Sequence, residues 1–188
     1  MMAKWLLVAA WLLSPASGVA AEVKPGSPEA AATAAMQSSQ RGEWGAYTHR
    51  MHPEALARAK RMFGAVVAAD ASGRVGKLFF GVEDTQAFDA LSDSSLFVAL
   101  MENLTHHMPA FAEAMKTAEF HVIGTLHEGE KLAHVVYRTE AKAEDLEVTR
   151  TSVLSLRRHE GEWRMLLTGN IEGLAARLSQ MKAHIWRC

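Results

Sequence analysis

Cysteine is nearly absent from this chain: among 188 residues the only one is Cys188, the last of the sequence. A lone thiol excludes a disulfide within the chain, so packing alone must stabilise the fold. It also excludes zinc motifs built from cysteine pairs. We expect Cys188 either to join two chains or to stay free, and the lack of a partner thiol disfavours a catalytic role.

An excess of charge of one sign is missing as well. The chain has 20 basic and 21 acidic residues and a formal net charge of −1. It contains no basic block of the kind that binds nucleic acid and no polybasic amphipathic helix that would bind a membrane surface. We therefore expect neither nucleic acid nor a membrane as a partner of the folded domain.

Motifs of common catalytic and metal sites are absent too. There is no Gly-x-Ser-x-Gly, no phosphate-binding loop, no glycine-rich dinucleotide turn and no His-Glu-x-x-His. The nine histidines invite a metal site, but three or four ligands would have to converge on one ion. We interpret the histidines as surface or interface residues and predict no metal and no cofactor. Their closest groupings are His49-x-x-His52, the pair His106-His107, and a set on one predicted sheet face, His121, His127 and His134.

The N-terminus has the layout of a secretory signal, which we assign to residues 1–21. Lys4 precedes an apolar run over residues 5–13, and small residues then lead to a cleavage position before Glu22. A membrane anchor is the alternative, but the apolar run is shorter than the roughly 20 residues that span a bilayer, and Pro15 interrupts it. The pattern predicts export.

The rest of the chain divides into a flexible leader, residues 22–27, and one domain, residues 28–188. This length is sufficient for a hydrophobic core. We predict a secreted or periplasmic protein. A bacterial periplasm is preferred, because the mature chain lacks the disulfides usual in small eukaryotic secreted domains.

Helical spacing of apolar residues dominates the first two thirds of the domain. Ser27 before Pro28 predicts the start of an Ala-rich helix that runs to Gly42. A bridging segment with Trp44 and Tyr47 follows, and Pro53 opens a second helix. Further helices are predicted over 93–108, 111–116 and 171–186, while residues 76–91 fit either a short strand or short helical turns.

From Glu119 the apolar period changes to two, which predicts strands. We place them at 119–127, 131–139, 145–157 and 162–168. The hairpins fall at Glu128-Gly129, around 141–144 and at Glu160-Gly161. Helices followed by antiparallel strands predict an α+β fold, with the helices packed on the concave face of a curved four-stranded meander and an extra C-terminal helix.

This order of helices, the meander and the hairpin Gly161-x-Trp163 resemble the nuclear-transport-factor-2-like superfamily of cone-shaped α+β domains. The resemblance covers about residues 28 to 170. It implies a pocket between the helices and the curved sheet. Some members are isomerases, dehydratases or polyketide cyclases, and many only bind or dimerise, so the resemblance does not choose a function. The strand usual between the early helices is not evident here, and the helix after Asn170 is additional.

Strand alternation predicts which sheet face the helices cover. It places Phe120, Val122 and Leu126 on the same side as Ala133, Val135 and Tyr137. In the last hairpin, Leu154 and Leu156 share a side with Trp163, Met165 and Leu167. One face is thus nearly all apolar, and a register slip of one residue would exchange the two faces.

Arg150 is the exception on this apolar face. An unpaired buried guanidinium is strongly unfavourable. Three explanations stay open: exposure of Arg150 to water through a bulge or at the sheet edge, an internal ion pair, with Glu102 as one candidate partner, or a pocket that holds an anionic ligand. The third explanation makes Arg150 the leading ligand-binding candidate.

The remaining ligand-binding candidates are polar or aromatic residues of the same region. Tyr137 offers a hydroxyl, although a packed core tyrosine has the same pattern. Ser152 is either a neutral donor or a small filler. Trp44 and Tyr47 line the open end of the pocket or seal the core, and Trp163 completes the set on the last hairpin. No catalytic residue is assigned.

Three functions fit these observations. The first is an exported module that binds a hydrophobic or weakly anionic small molecule, or a partner protein. The second is an isomerase, dehydratase or cyclase, whose acid–base residue must come from the helical half, for example Asp84, Asp89 or His106. The third is a structural homodimer. Its contact would be the outer sheet face, with Ile123, Leu132, Val136, Val153 and Leu166.

Overall fold

The computed structural model describes residues 24–143 and 146–185 of the chain. The predicted signal sequence and Cys188 lie outside the described residues. The α-helices are α1 (Pro28–Gln40), α2 (Trp44–His49), α3 (Pro53–Ala69), α4 (Thr85–Ala90), α5 (Asp93–His107), α6 (Pro109–Thr117) and α7 (Gly169–Ile185), with a π-helical turn at Gly76–Phe80. The strands are β1 (Glu119–Glu128), β2 (Leu132–Ala143), β3 (Leu146–His159) and β4 (Glu162–Met165). The predicted α+β fold is confirmed.

Local capping explains where the first helices begin. The Ser27 hydroxyl accepts from the Ala30 N–H, and Pro28 occupies the first turn of α1. His52 caps α3 through its Nδ1, which accepts from the Glu54 N–H at 3.2 Å. Ser92 caps α5 in the same way. The three predicted starts are confirmed, and residues 76–91 form the helical alternative rather than a strand.

The sheet is an antiparallel meander in the order β1-β2-β3-β4. The last hairpin turns at Glu160 and Gly161, whose φ angles of 51° and 84° match the positive values of a type I′ turn. β4 is shorter than predicted and ends at Met165. The reason is that the Met165 backbone pairs with the α2–α3 linker: its N–H donates to Arg50 O and its carbonyl accepts from His52 N–H, both at 2.8 Å.

A register shift between Val122 and Gly124 corrects one predicted set of neighbours. Val122 pairs with Tyr137, so these two residues share a face as predicted, but Gly124 pairs with Val136. Beyond this bulge Leu126 lies on the outer face and is 63% exposed. Its predicted place beside Ala133 was wrong, because the β1–β2 loop has three residues and reverses the alternation near the turn.

The helices cover one face of the sheet. α1 contacts β1, β2 and β4, while α6 contacts β2. The covered face buries Ala133, Val135, Leu154, Leu156 and Met165. Behind α1 and α6, α5 packs on α2 and α3, and α7 packs on α3. Among the described residues no helix is both long and apolar enough to span a bilayer.

Candidate functional site: a cavity between helices and sheet

A cavity of about 300 Å³ lies between the helical layer and the covered face of the sheet. Its helical wall comes from α1, α2, α5 and α6, and its sheet wall from β1 to β4. Most of the lining is apolar. Methionine contributes four side chains to it, namely Met36, Met101, Met115 and Met165. Flexible thioethers adapt to irregular apolar shapes better than branched side chains do.

On the sheet, the polar part of the wall is a small group of side chains on two neighbouring strands. Thr139 pairs with Arg150, and Tyr137 pairs with Ser152. All four residues line the cavity. Because paired residues of antiparallel strands project to the same face, they form two adjacent polar rows. Arg150 and Thr139 form the outer row, since Arg150 is exposed and Tyr137 and Ser152 are not.

The inner row pairs Tyr137 with Ser152 across β2 and β3. Burial raises the pKa of Tyr137, while the neighbouring Ser152 hydroxyl and the nearby charge of Arg150 act in the opposite direction. The phenol is therefore protonated at neutral pH. It can serve as a hydrogen-bond donor to a group inside the cavity.

Arg150 lies at the open side of this cavity. The register of β2 and β3 runs without a shift from Leu132 to Ala143, so the bulge considered from the sequence was wrong. Glu102 is exposed and does not line the cavity, which excludes the suggested ion pair. Among residues 24–141 and 148–180, whose side chains the structure describes, none forms a hydrogen bond or salt bridge with the Arg150 guanidinium. Its donors thus face the cavity and solvent.

Trp44 and Tyr47 form the aromatic side of the cavity. Their ring centroids are 6.0 Å apart in an edge-to-face arrangement, and Tyr47 stacks on Phe97 at 6.2 Å. Both tryptophan and tyrosine line the cavity, so the two alternatives from the sequence coincide: these rings pack into the core and also border the void. Burial, together with the neighbouring Tyr137, raises the pKa of Tyr47 to about 12.

Trp163 shares the covered face but does not line this cavity, and its assignment to the pocket needs correction. It pairs with Arg158, whose guanidinium carbon lies 5.0 Å from the indole centroid. Arg158 is eight positions along β3 from Arg150, which corresponds to about 26 Å of strand. The centroid of the Trp163 ring lies 6.1 Å from that of the His127 ring. Trp163 therefore packs at the end of the sheet opposite to the cavity.

Residues of α6 line the cavity but were not among the predicted site residues. Phe111 and Met115 are four positions apart and contribute to the wall. This i, i+4 spacing is the one signal that would have identified them. α6 has no fully buried residue, so it forms a thin cover over the void rather than part of the deep core.

Acid–base residues proposed from the helical half lie elsewhere. Asp84 caps α4 through a 2.7 Å hydrogen bond from Ala87 N–H. Asp89 is exposed, and His106 lines a separate surface groove. Over the described part of the chain, the lining of the cavity includes no aspartate, glutamate or histidine.

The three histidines that were predicted to share one sheet face do not all lie on it. The bulge places His127 on the covered face, so it does not share the outer face with His121 and His134. His121 instead lies near Glu119 and Glu140, with ligand atoms within 4.8 Å of one another. Glu140 already pairs with Arg138 at 2.8 Å, and the group is largely exposed.

No protein-family model, curated protein or solved structure matches this chain.

Proposed function

We propose that this protein is an exported, single-domain binding module for a small hydrophobic or weakly anionic molecule. The observation that carries the proposal is the cavity of about 300 Å³ between helices and sheet, with a mostly apolar lining. This volume is at the lower end of small-molecule sites and has room for about ten water molecules. A few polar groups in an apolar wall are the usual composition of such sites.

The same proposal includes the nuclear-transport-factor-2-like assignment and export. The former is supported by the order of helices, the antiparallel meander and a cavity between them. The latter is supported by the signal-like composition of residues 1–21. Mass spectrometry of the protein recovered from an expressing bacterium tests export, since cleavage should leave Glu22 as the first residue.

Binding is favoured over catalysis by the chemistry of the lining. Acid–base catalysis requires a carboxylate or imidazole within about 3 Å of the reacting atom. The described lining residues supply neither. Tyr137 and Arg150 can orient a ligand, but at neutral pH neither is a base.

A cavity-filling pair of variants on α6 tests the binding proposal. Ala114 lines the cavity, whereas Ala110 on the same helix is exposed and does not. We expect Ala114→Phe to weaken binding of the neutral fluorescent probe N-phenyl-1-naphthylamine by about tenfold or more, the loss expected when bulk displaces a ligand from its site. Ala110→Phe should bind as the wild type does. Equal binding by both folded variants would refute the assignment of the cavity.

A second candidate is a homodimer through the outer sheet face. Ile123 and Val153 are 58% and 55% exposed there, and exposed apolar patches mark association surfaces. Val153→Asp should convert a dimer to a monomer in analytical ultracentrifugation, while Thr85→Asp, at an exposed position of α4, should not. A wild-type monomer at all concentrations, with and without reductant, excludes both this dimer and a Cys188 link.

A further inference from the structure

The cavity has one charged group in its described lining, and that group has no partner among the side chains that the structure describes. Arg150 is exposed and lies at the mouth. A guanidinium offers five N–H donors in a planar fork that matches the two oxygens of a carboxylate. An unpaired guanidinium bordering an apolar void is therefore a receptor for an anionic group.

The surrounding groups are also donors. The hydroxyls of Thr139 and Ser152 stand on the same face as Arg150, and the Tyr137 phenol lies beside Ser152. Thr168 and Asn170, where α7 begins, line the same cavity. The start of a helix presents free N–H groups and a positive dipole end. These donors, added to Arg150, favour a negative charge at this side of the cavity.

The opposite side of the cavity is mainly apolar. Beyond the inner row the sheet continues with Leu154 and Met165, and the facing helices contribute Met36 and Met101. A ligand that fills the cavity must therefore have an anionic end and an apolar body. A single guanidinium neutralises one negative charge, so a monoanion avoids the desolvation cost that a dianion would leave uncompensated.

We propose that the ligand is a small amphipathic carboxylate, held with its carboxylate at Arg150 and the Ser152 and Tyr137 hydroxyls and with its apolar body among the methionines. This inference rests on the proposed binding function and specifies its ligand class. The polar rows hold the head group near solvent. The methionine side chains accommodate bodies of differing shape, so selectivity lies in the head group rather than in the body.

Isothermal titration with ligands of one chain length tests the head group. Octanoate, 1-octanol and octyl phosphate each contain eight carbons and differ in the head group; the alkyl chain of octanoate is one methylene shorter, which by itself would favour 1-octanol. We expect the wild type to bind octanoate about tenfold or more tightly than 1-octanol, because a hydrogen bond to a charged group is worth that much. Arg150→Gln should abolish this preference without weakening 1-octanol. Arg158→Gln, on the same strand and the same face but outside the cavity, should keep it.

The outcomes separate this inference from the function on which it rests. If 1-octanol binds the wild type as tightly as octanoate, or if Arg150→Gln retains the octanoate preference, the carboxylate assignment is wrong while the cavity function stands. If octyl phosphate binds more tightly than octanoate, the assignment of the head group as a carboxylate is also wrong. If none of the three ligands binds, the carboxylate assignment fails; the cavity function fails with it only if N-phenyl-1-naphthylamine does not bind either.

Discussion

The imidazole rings of His52 and His159 lie 5.1 Å apart in an edge-to-face arrangement. His52 is buried and caps α3, with its Nδ1 accepting a hydrogen bond from Glu54 N–H. This bond requires an unprotonated Nδ1. Burial lowers the pKa of His52; Glu54 acts in the opposite direction, and His159, Arg157 and Arg164 lower the pKa further.

Acid should therefore destabilise the protein through His52. The folded state has a pKa below the value of 6.5 that applies when unfolded, so the unfolded chain binds more protons as pH falls. We expect the free energy of unfolding in urea to decline as pH drops through and below that value. His52→Asn retains a capping acceptor and should flatten the decline. His106→Asn, at an exposed position, should leave the decline unchanged. If the free energy of unfolding falls with pH equally in His52→Asn and in the wild type, His52 is not the group responsible.

Tyr47 should have the opposite pH dependence. Its phenol has a pKa of about 12 in the folded state against 10.0 when unfolded. The stability contributed by the neutral phenol is present below the unfolded value and is lost as pH rises toward the folded value. Tyr47→Phe keeps the stacked ring and should reduce this alkaline loss, as measured by urea unfolding. The chain has two tyrosines, so the phenolate absorbance of the Tyr47→Phe variant follows the ionisation of Tyr137 alone. If the wild type shows no phenol that ionises at higher pH than Tyr137 does, the raised pKa of Tyr47 is contradicted.

Three phenylalanines form a continuous aromatic cluster behind the cavity. The ring centroid of Phe80 lies 5.4 Å from that of Phe63 and 5.1 Å from that of Phe88, and both contacts are edge to face. Phe80→Ala should lower the free energy of unfolding by about 3–5 kcal/mol, because it leaves a cavity in the core. Leu78, on the same π-helical turn, is 44% exposed, and Leu78→Ala should cost less than about 0.5 kcal/mol. Similar losses in chemical denaturation would show that this turn is not packed as described.

The C-terminal helix should contribute to the stability of the domain. α7 packs on α3, buries Ala175 and Leu178, and carries Glu172 at 2.9 Å from Arg58. Leu178→Ala should cost about 2 kcal/mol, whereas Ala at the exposed neighbour Arg177 should be nearly neutral. A chain ending at Asn170 should unfold at lower temperature than the full chain in calorimetry. Equal melting temperatures would mean that α7 does not dock on its own domain.

Helix starts were readable from the sequence because their determinants are adjacent residues. Ser27 before Pro28 and Ser92 before α5 supply caps within three residues of the groups they satisfy. The change of period at Glu119 likewise reports strands directly, since alternation is a property of one extended segment. The meander and the α+β class followed from these local signals.

Local signals were insufficient near the first hairpin. The three-residue loop at 129–131 and the compensating shift after Val122 each reverse the alternation, so Phe120 and Val122 were placed correctly but Leu126 was not. A bulge arises from the pairing of two strands, and its position depends on both. The misplacement of His127 has the same origin.

The sequence by itself determined the capped helices and the antiparallel strands, because each depends on residues close together in the chain. The tertiary structure alone decided that Arg150 has no carboxylate partner among the described residues, that α6 leaves a void above it, and that Trp163 lies at the far end of the sheet. Those relations depend on how distant helices pack against the sheet. Such packing follows from the shapes of many side chains together.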